Sequence, residues 1–169
     1  MTEALLQKAE VQLAAGDNLR ARRECRRAIV DIRSREARVL EARAERLLGR
    51  AEASLRETVR AQAHLRASVA IARRTGAGYE EALSLRELGA IMLAVPDARQ
   101  RAARVLRRAI SILSKMGAAL DLVEAEKLLE SANAAPDLGE VWDSPPGFAS
   151  TEATAALLTT ASVSVPVAS

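Results

Sequence analysis

Two stretches of this 169-residue chain recur at a distance of about 40 residues. "RAERLLGRAEASL" aligns with "LSLRELGAIMLAV", which places Leu48-Gly49 on Leu88-Gly89 at a period of 40. "IARRTGAGYEEALSLREL" aligns without gaps on "ILSKMGAALDLVEAEKLL", which places Gly76 on Gly117 at a period of 41. Such periods predict stacked copies of one small unit, because one unit cannot bury its apolar face alone.

Apolar residues recur every three or four positions through residues 1–133, a pattern typical of α-helices. In the second helix Ala21, Cys25, Ala28 and Ile32 form one apolar stripe, and the arginines lie on other faces. Breaks near Gly16, Gly76, Pro96 and Gly117 separate helical hairpins. The sequence therefore predicts seven helices, the last of which acts as a cap, at roughly 3–15, 17–33, 36–54, 56–75, 78–94, 97–115 and 118–132.

The side chains available for the core also indicate an all-α fold. Aromatic residues make up only 2% of the chain, so the core must be built from Ala, Leu, Ile and Val. Strands favour aromatic and β-branched residues, whereas the abundant alanine and the 22 arginines are strong helix formers.

Charge and composition change near Asn133. Residues 134–169 hold four acidic residues and neither Lys nor Arg, together with four of the five prolines. The first 133 residues carry 25 basic against 18 acidic side chains. We therefore expect a basic helical repeat domain at 1–133 and an acidic, Pro/Ser/Thr-rich, disordered tail at 134–169.

Several protein classes find no support in the sequence. No apolar run reaches the roughly 18 residues that a membrane span needs, and the N-terminus lacks the pattern of a secretory signal. A single cysteine cannot form an internal disulfide, which favours a cytoplasmic setting. No nucleotide-binding glycine loop is present.

Catalytic chemistry is not expected either. The one histidine, His64, and the one cysteine, Cys25, lie on different hairpins, and no pair of residues has metal-ligand spacing. We interpret Cys25 as a buried structural thiol and His64 as a half-buried or surface side chain. The chain is therefore predicted to be no enzyme and to need no metal or cofactor.

The repeats resemble those of the tetratricopeptide repeat (TPR) family. That family's pattern has a Leu-Gly pair in the first helix of each hairpin and small, large and small residues in the second. In this chain the pattern reads Leu48, Gly49, Ala61, Leu65 and Ser68 in the middle hairpin, Leu88, Gly89, Ala102, Leu106 and Ala109 in the third, and more loosely Ala9, Ala21, Cys25 and Ala28 in the first. The long period is similar to repeats in bacterial signalling ATPases and transcription regulators.

The resemblance implies a right-handed α-solenoid of about three hairpins plus a capping helix. In such solenoids the first helices line the concave surface, and carrying the positions over places Arg46, Arg50 and Arg86 on it, exposed. Guanidinium groups pair with carboxylates, so the expected function is a protein-interaction module that binds an acidic peptide or partner protein in a basic groove.

Two alternatives to this function remain open. A sequence pI near 9.6 permits a basic nucleic-acid-associated protein, although no aromatic residues are placed to stack bases. The chain is also compatible with an accessory subunit of an enzyme complex. In the tail, Trp142 and Phe148 stand beside acidic residues and are candidate anchors that could occupy the same groove.

Overall fold

The computed structural model describes residues 2–134, and these fold into seven α-helices with no strand among them. The all-α prediction is confirmed, and each predicted helix end lies within two residues of the observed one. Predictions for the tail, including the anchors Trp142 and Phe148, lie outside the described residues. The helices are α1 (Thr2–Ala14), α2 (Asn18–Ser34), α3 (Arg38–Ser54), α4 (Thr58–Thr75), α5 (Gly78–Leu93), α6 (Arg99–Met116) and α7 (Ala119–Asn133), with a 3-10 turn at Pro96–Ala98.

Five of the six connections between helices use one backbone device. A single residue in the left-handed region ends the helix, and the residue after it precedes the next helix. Glycine takes this conformation without strain, which explains why a glycine stands at three of the predicted breaks. Two connections use residues with a Cβ instead, so sequence predicts the helix ends there but not the left-handed conformation. The left-handed residues are Gly16, Glu36, Arg56, Gly76 and Gly117, with φ values of 78°, 56°, 65°, 71° and 70°.

The helices are arranged in two sets. Consecutive helices pack against each other, and in addition α1 contacts α3, α3 contacts α5, and α5 contacts α7. We call α1, α3, α5 and α7 the first layer. Helices α2, α4 and α6 form the second layer; within the described residues, no two of them approach to a Cα–Cα distance of 8 Å. The close backbone contacts of each second-layer helix are therefore with the first-layer helices before and after it.

The core consists of aliphatic side chains, as the composition predicts. The repeat pattern and helical periodicity also predict Leu48, Leu65, Leu88, Leu106 and Ile110 as core positions. The four leucines are buried, which confirms them, whereas Ile110 is only partly buried. No helix within the described residues is both long and apolar enough to cross a membrane.

Candidate interaction surfaces

Arg46, on α3, is buried at the centre of a network of ion pairs in the first layer. Its Nε lies 2.8 Å from Oε2 of Glu80, and its Nη1 lies 3.3 Å from Oε1 of Glu87, both on α5. On its other side, Nη2 lies 4.0 Å from Oε1 of Glu10 on α1. Only 6% of the Arg46 side chain is exposed. One guanidinium therefore links three helices of the first layer.

The prediction that Arg46, Arg50 and Arg86 share one exposed surface is wrong for Arg46, which is buried. Arg86 is also mostly buried and already paired. The Nη1 of Arg86 lies 2.6 Å from Oδ1 of Asp121 and 2.6 Å from Oε2 of Glu124, and 16% of its side chain is exposed. Arg50 keeps 45% of its side chain exposed. The carboxylates of neighbouring helices draw Arg46 and Arg86 into the fold, because burial of an arginine requires a paired charge.

Arg43 and Tyr79 extend the same network to the outer helices of the first layer. Arg43 donates to Glu10 from Nε at 3.2 Å and from Nη2 at 2.7 Å, a bidentate pair between α3 and α1. The Tyr79 hydroxyl donates to Asp121 at 2.7 Å, which joins α5 to α7. The face predicted to be a basic groove is thus held together by its own carboxylates.

Charge differs sharply between the two layers. The first-layer helices carry seven basic against twelve acidic side chains, a balance of −5. The second-layer helices carry sixteen basic against two acidic side chains, a balance of +14, and neither α4 nor α6 contains an acidic residue. The excess positive charge of the chain therefore lies on the second layer.

Arginines recur at two positions of every second-layer helix. Cys25, Leu65 and Leu106 occupy the same position of the repeat pattern, and all three are buried. Aligning the three helices on these residues shows which of their other positions are equivalent. In that register both arginine positions are exposed in all three helices. The two rows are Arg20, Arg60 and Arg101, and Arg26, Arg66 and Arg107.

Part of this positive charge is neutralised within the fold. Arg20 pairs with Asp17 at 3.2 Å, and Arg26 pairs with the fully buried Glu52 at 2.9 Å. Among the described residues, no carboxylate lies within 4.0 Å of Arg101 or Arg107. The α6 end of the rows therefore retains the most available positive charge.

A small pocket opens between α3 and α5 beside Arg50. It has a volume of about 210 Å³ and is walled by the apolar side chains of Leu65, Ala90 and Ile91, with Arg50 and Glu87 as its charged members. Burial raises the pKa of Glu87 to about 7, although the positive charges of Arg46 and Arg50 act to lower it.

Cys25 is fully buried, as predicted. Burial raises the pKa of the Cys25 thiol to about 12, and the nearby carboxylates of Glu10 and Glu24 act in the same direction. The adjacent arginines of α2 project away from it, so they do not activate the thiol. The structure therefore assigns Cys25 to the core of the first hairpin.

Native Cys25 is expected to react with a thiol reagent about 10³-fold more slowly than the urea-unfolded chain, because the raised pKa removes the thiolate. Cys25→Ala should lower the free energy of unfolding by about 1–2 kcal/mol. Labelling by an aromatic disulfide, followed by absorbance, measures the rate, and Cys25→Ala serves as the blank. Equal rates in native and unfolded protein would contradict the burial.

His64 is half-buried, as predicted, and its Nδ1 lies 2.8 Å from Oε2 of Glu45. The same Glu45 accepts a hydrogen bond from Arg33 at 3.1 Å. Within residues 2–134 no three His, Cys, Asp or Glu side chains are grouped so that they could hold a metal ion. His64 thus lies in a contact between α4 and α3.

The inter-helix ion pairs are the features that sequence reasoning missed. Arg46 and Glu87 lie 41 residues apart, close to the repeat period, so opposite charges one period apart were the available signal. Glu10 stands at the position that Arg50 occupies in the next repeat, so a change of charge sign at one repeat position was a second available signal.

The chain matches no protein-family model, and no curated protein matches it closely enough to count as a relative.

Proposed function

We propose that this chain is a non-enzymatic protein–protein interaction module that binds an acidic partner through its second layer. The proposed architecture is a right-handed TPR-like α-solenoid of three hairpins and a capping helix, acting in the cytoplasm in bacterial signalling or regulation. The first layer serves as the scaffold, and the exposed arginine rows of α2, α4 and α6 select the partner.

The division of charge between the layers carries this proposal. The three second-layer helices carry sixteen basic and only two acidic side chains. First-layer carboxylates pair with five of the basic ones, namely Arg22, Arg26, Arg33, Arg73 and Arg108, so an excess of positive charge remains on this layer. Guanidinium groups bind carboxylates with fixed geometry, and a surface of one sign steers a partner of the other sign. The earlier expectation of a basic concave groove is replaced, because Arg46 and Arg86 already have carboxylate partners.

A nucleic acid is the second candidate partner, favoured by the recurrence of the exposed arginines in all three hairpins. A row of cations at regular spacing suits a linear polyanion as well as an acidic protein surface. The second layer presents no aromatic side chain to stack bases, which favours the protein partner. A role as accessory subunit of an enzyme complex is a special case of the protein partner.

Loss of charge at the α6 end should weaken binding of an acidic probe. We expect Arg101→Gln with Arg107→Gln to raise the Kd for a polyglutamate peptide about tenfold, since each exposed ion pair contributes up to about 1 kcal/mol. The melting temperature should stay the same, because neither side chain pairs with a described carboxylate. Titration calorimetry and thermal unfolding measure the two effects.

Arg56→Gln with Lys127→Gln is the matched control, since it removes the same charge outside the second layer and neither exposed side chain lies within 4.0 Å of a described carboxylate. If both double variants weaken binding equally, only net charge matters and the second-layer site is wrong. A single-stranded oligonucleotide of equal length separates the two candidates. Tighter binding of the oligonucleotide at physiological salt, with a steep fall in affinity as salt rises, would favour the nucleic acid.

A further inference from the structure

A larger pocket opens between the N-terminal half of α6 and the C-terminal end of α7. Its volume of about 470 Å³ falls within the roughly 300–1,000 Å³ of pockets that hold small ligands. Arg99, Arg104 and Arg107 line it, together with the amide side chains of Gln100 and Asn133. No described carboxylate and no described aromatic side chain is among its lining residues. The lining is therefore polar and carries charge of one sign.

The three guanidinium groups of this pocket are available to a ligand. Arg104 and Arg107 are exposed, and Arg99 is half-buried. Within residues 2–134 no carboxylate lies within 4.0 Å of any of the three. Arg99 donates from Nη1 to the carbonyl oxygen of Ala134 at 3.2 Å, which leaves most of its N–H donors for a ligand.

The backbone of α6 adds to the positive field at the same place. The helix begins at Arg99, and Ala98 before it provides no side-chain acceptor for the N–H groups of the first turn. The helix dipole places a partial positive charge at this end. Glu130, the acidic residue of α7 nearest to Asn133 along the chain, lies outside the lining. The pocket therefore requires an anion with more than one charge.

A phosphate monoester meets this requirement better than a carboxylate does. It carries a charge of about −1.5 to −2 and three acceptor oxygens, so each guanidinium can bind an oxygen of its own. A carboxylate has a single charge and two oxygens. An internal phosphate of a nucleic acid also has a single charge, and the lining offers no aromatic side chain on which a base could stack.

We propose that this pocket binds a phosphorylated serine or threonine of the acidic partner. The inference rests on the proposed function, because it names one group of the partner that the second layer binds. The phosphoryl oxygens accept hydrogen bonds from Arg99, Arg104 and Arg107. Clusters of arginines are a common means of recognising phosphorylated peptides. Phosphorylation of the partner then strengthens its association with this chain.

Titration calorimetry of the full chain with matched peptides tests the inference. The peptides are a polyglutamate with one central phosphoserine and the same peptide with serine or glutamate at that position. We expect phosphoserine to lower the Kd at least about tenfold relative to serine, and glutamate to lower it about threefold or less. Adenosine 5′-monophosphate should compete no better than inorganic phosphate, since the lining has no aromatic side chain for its base.

Arg99→Gln with Arg104→Gln should reduce the effect of phosphorylation on the Kd to about threefold or less, with little change in melting temperature, because neither side chain pairs with a described carboxylate. Arg66→Gln with Arg101→Gln is the matched control, which removes the same charge from exposed positions of the second layer outside the pocket. It should weaken binding of the serine and phosphoserine peptides by the same factor.

Three results would each overturn the pocket: equal Kd values for the serine and phosphoserine peptides, an effect of phosphorylation that survives Arg99→Gln with Arg104→Gln, or much stronger competition by adenosine 5′-monophosphate than by inorganic phosphate. Failure of the proposed function alone gives a different result. The serine peptide would then bind equally well to the Arg66→Gln with Arg101→Gln variant, while the effect of phosphorylation would still depend on Arg99 and Arg104 and would support the pocket.

Discussion

Arg46→Ala is expected to lower the free energy of unfolding by about 3–5 kcal/mol, the cost of removing one partner from a buried ion pair. The substitution leaves Glu80 and Glu87 in the first layer without the guanidinium that neutralises them, and it removes the link to Glu10. Urea unfolding followed by circular dichroism at 222 nm measures the effect.

Arg50→Ala is the control for this prediction, because Arg50 lies one turn along the same helix and is 45% exposed. It should cost less than about 1 kcal/mol. Combining Arg46→Met with Glu80→Gln and Glu87→Gln should restore much of the loss, since no buried charge is then left alone. Equal effects of Arg46→Ala and Arg50→Ala would show that the network does not stabilise the fold.

The sequence alone leads to the opposite expectation for Arg46. The family resemblance places it on an exposed surface, where substitution changes binding and leaves stability unchanged. What the resemblance does not contain is the identity of the facing residues, and here those residues are Glu10, Glu80 and Glu87. Whether an arginine is available to a partner depends on contacts between residues 34 to 41 positions apart, which helical periodicity does not encode.

The helices themselves were predictable, because local signals determine them. Apolar stripes set each buried face, and Gly16, Gly76 and Gly117 mark three of the turns. Cys25 was correctly placed in the core for the same reason, since it lies on the stripe with Ala21 and Ala28. The left-handed Glu36 escaped prediction because residues with a Cβ rarely adopt that conformation.

The basic face of the second layer could also have been predicted from the sequence. Arg20, Arg60 and Arg101 occupy equivalent positions of the three hairpins, and the absence of acidic residues from α4 and α6 can be read directly from the chain. The pocket beside Glu87 could not have been, because it depends on how closely α3 and α5 approach each other. Aligning the repeats is enough to predict rows of like charge, whereas a cavity depends on how the helices pack in three dimensions.

The repeated Leu-Gly pairs have a packing cause that leads to the second large effect. A Cβ added at Gly89 would lie 2.6 Å from both Cγ and Cδ2 of Leu106, and one at Gly49 would lie 2.8 Å from Cγ of Leu65. Carbon atoms do not approach this closely, so a leucine of the second helix occupies the space beside each glycine. In the first hairpin Ala9 replaces the glycine, and the smaller Cys25 replaces the leucine in the same cluster.

Gly89→Ala is therefore expected to lower the free energy of unfolding by about 1–3 kcal/mol through overpacking, although alanine by itself favours a helix interior by about 1 kcal/mol. Gly78→Ala is the matched control on the same helix. Its added Cβ would meet only Met116 Sδ at 3.7 Å and Ile112 Cγ2 at 3.8 Å, which are ordinary contacts. The control should leave stability unchanged or raise it slightly.

A double variant tests whether Leu106 causes the cost. Gly89→Ala with Leu106→Cys reproduces the Ala9 and Cys25 pairing of the first hairpin, so the smaller side chain makes room for the new methyl group. We expect the double variant to lose at least about 1 kcal/mol less than the sum of the two single losses, beyond the roughly 0.5 kcal/mol scatter of independent sites. Urea unfolding of the four proteins gives this coupling. Additive losses would mean that Gly89 is needed for a reason other than the approach of Leu106.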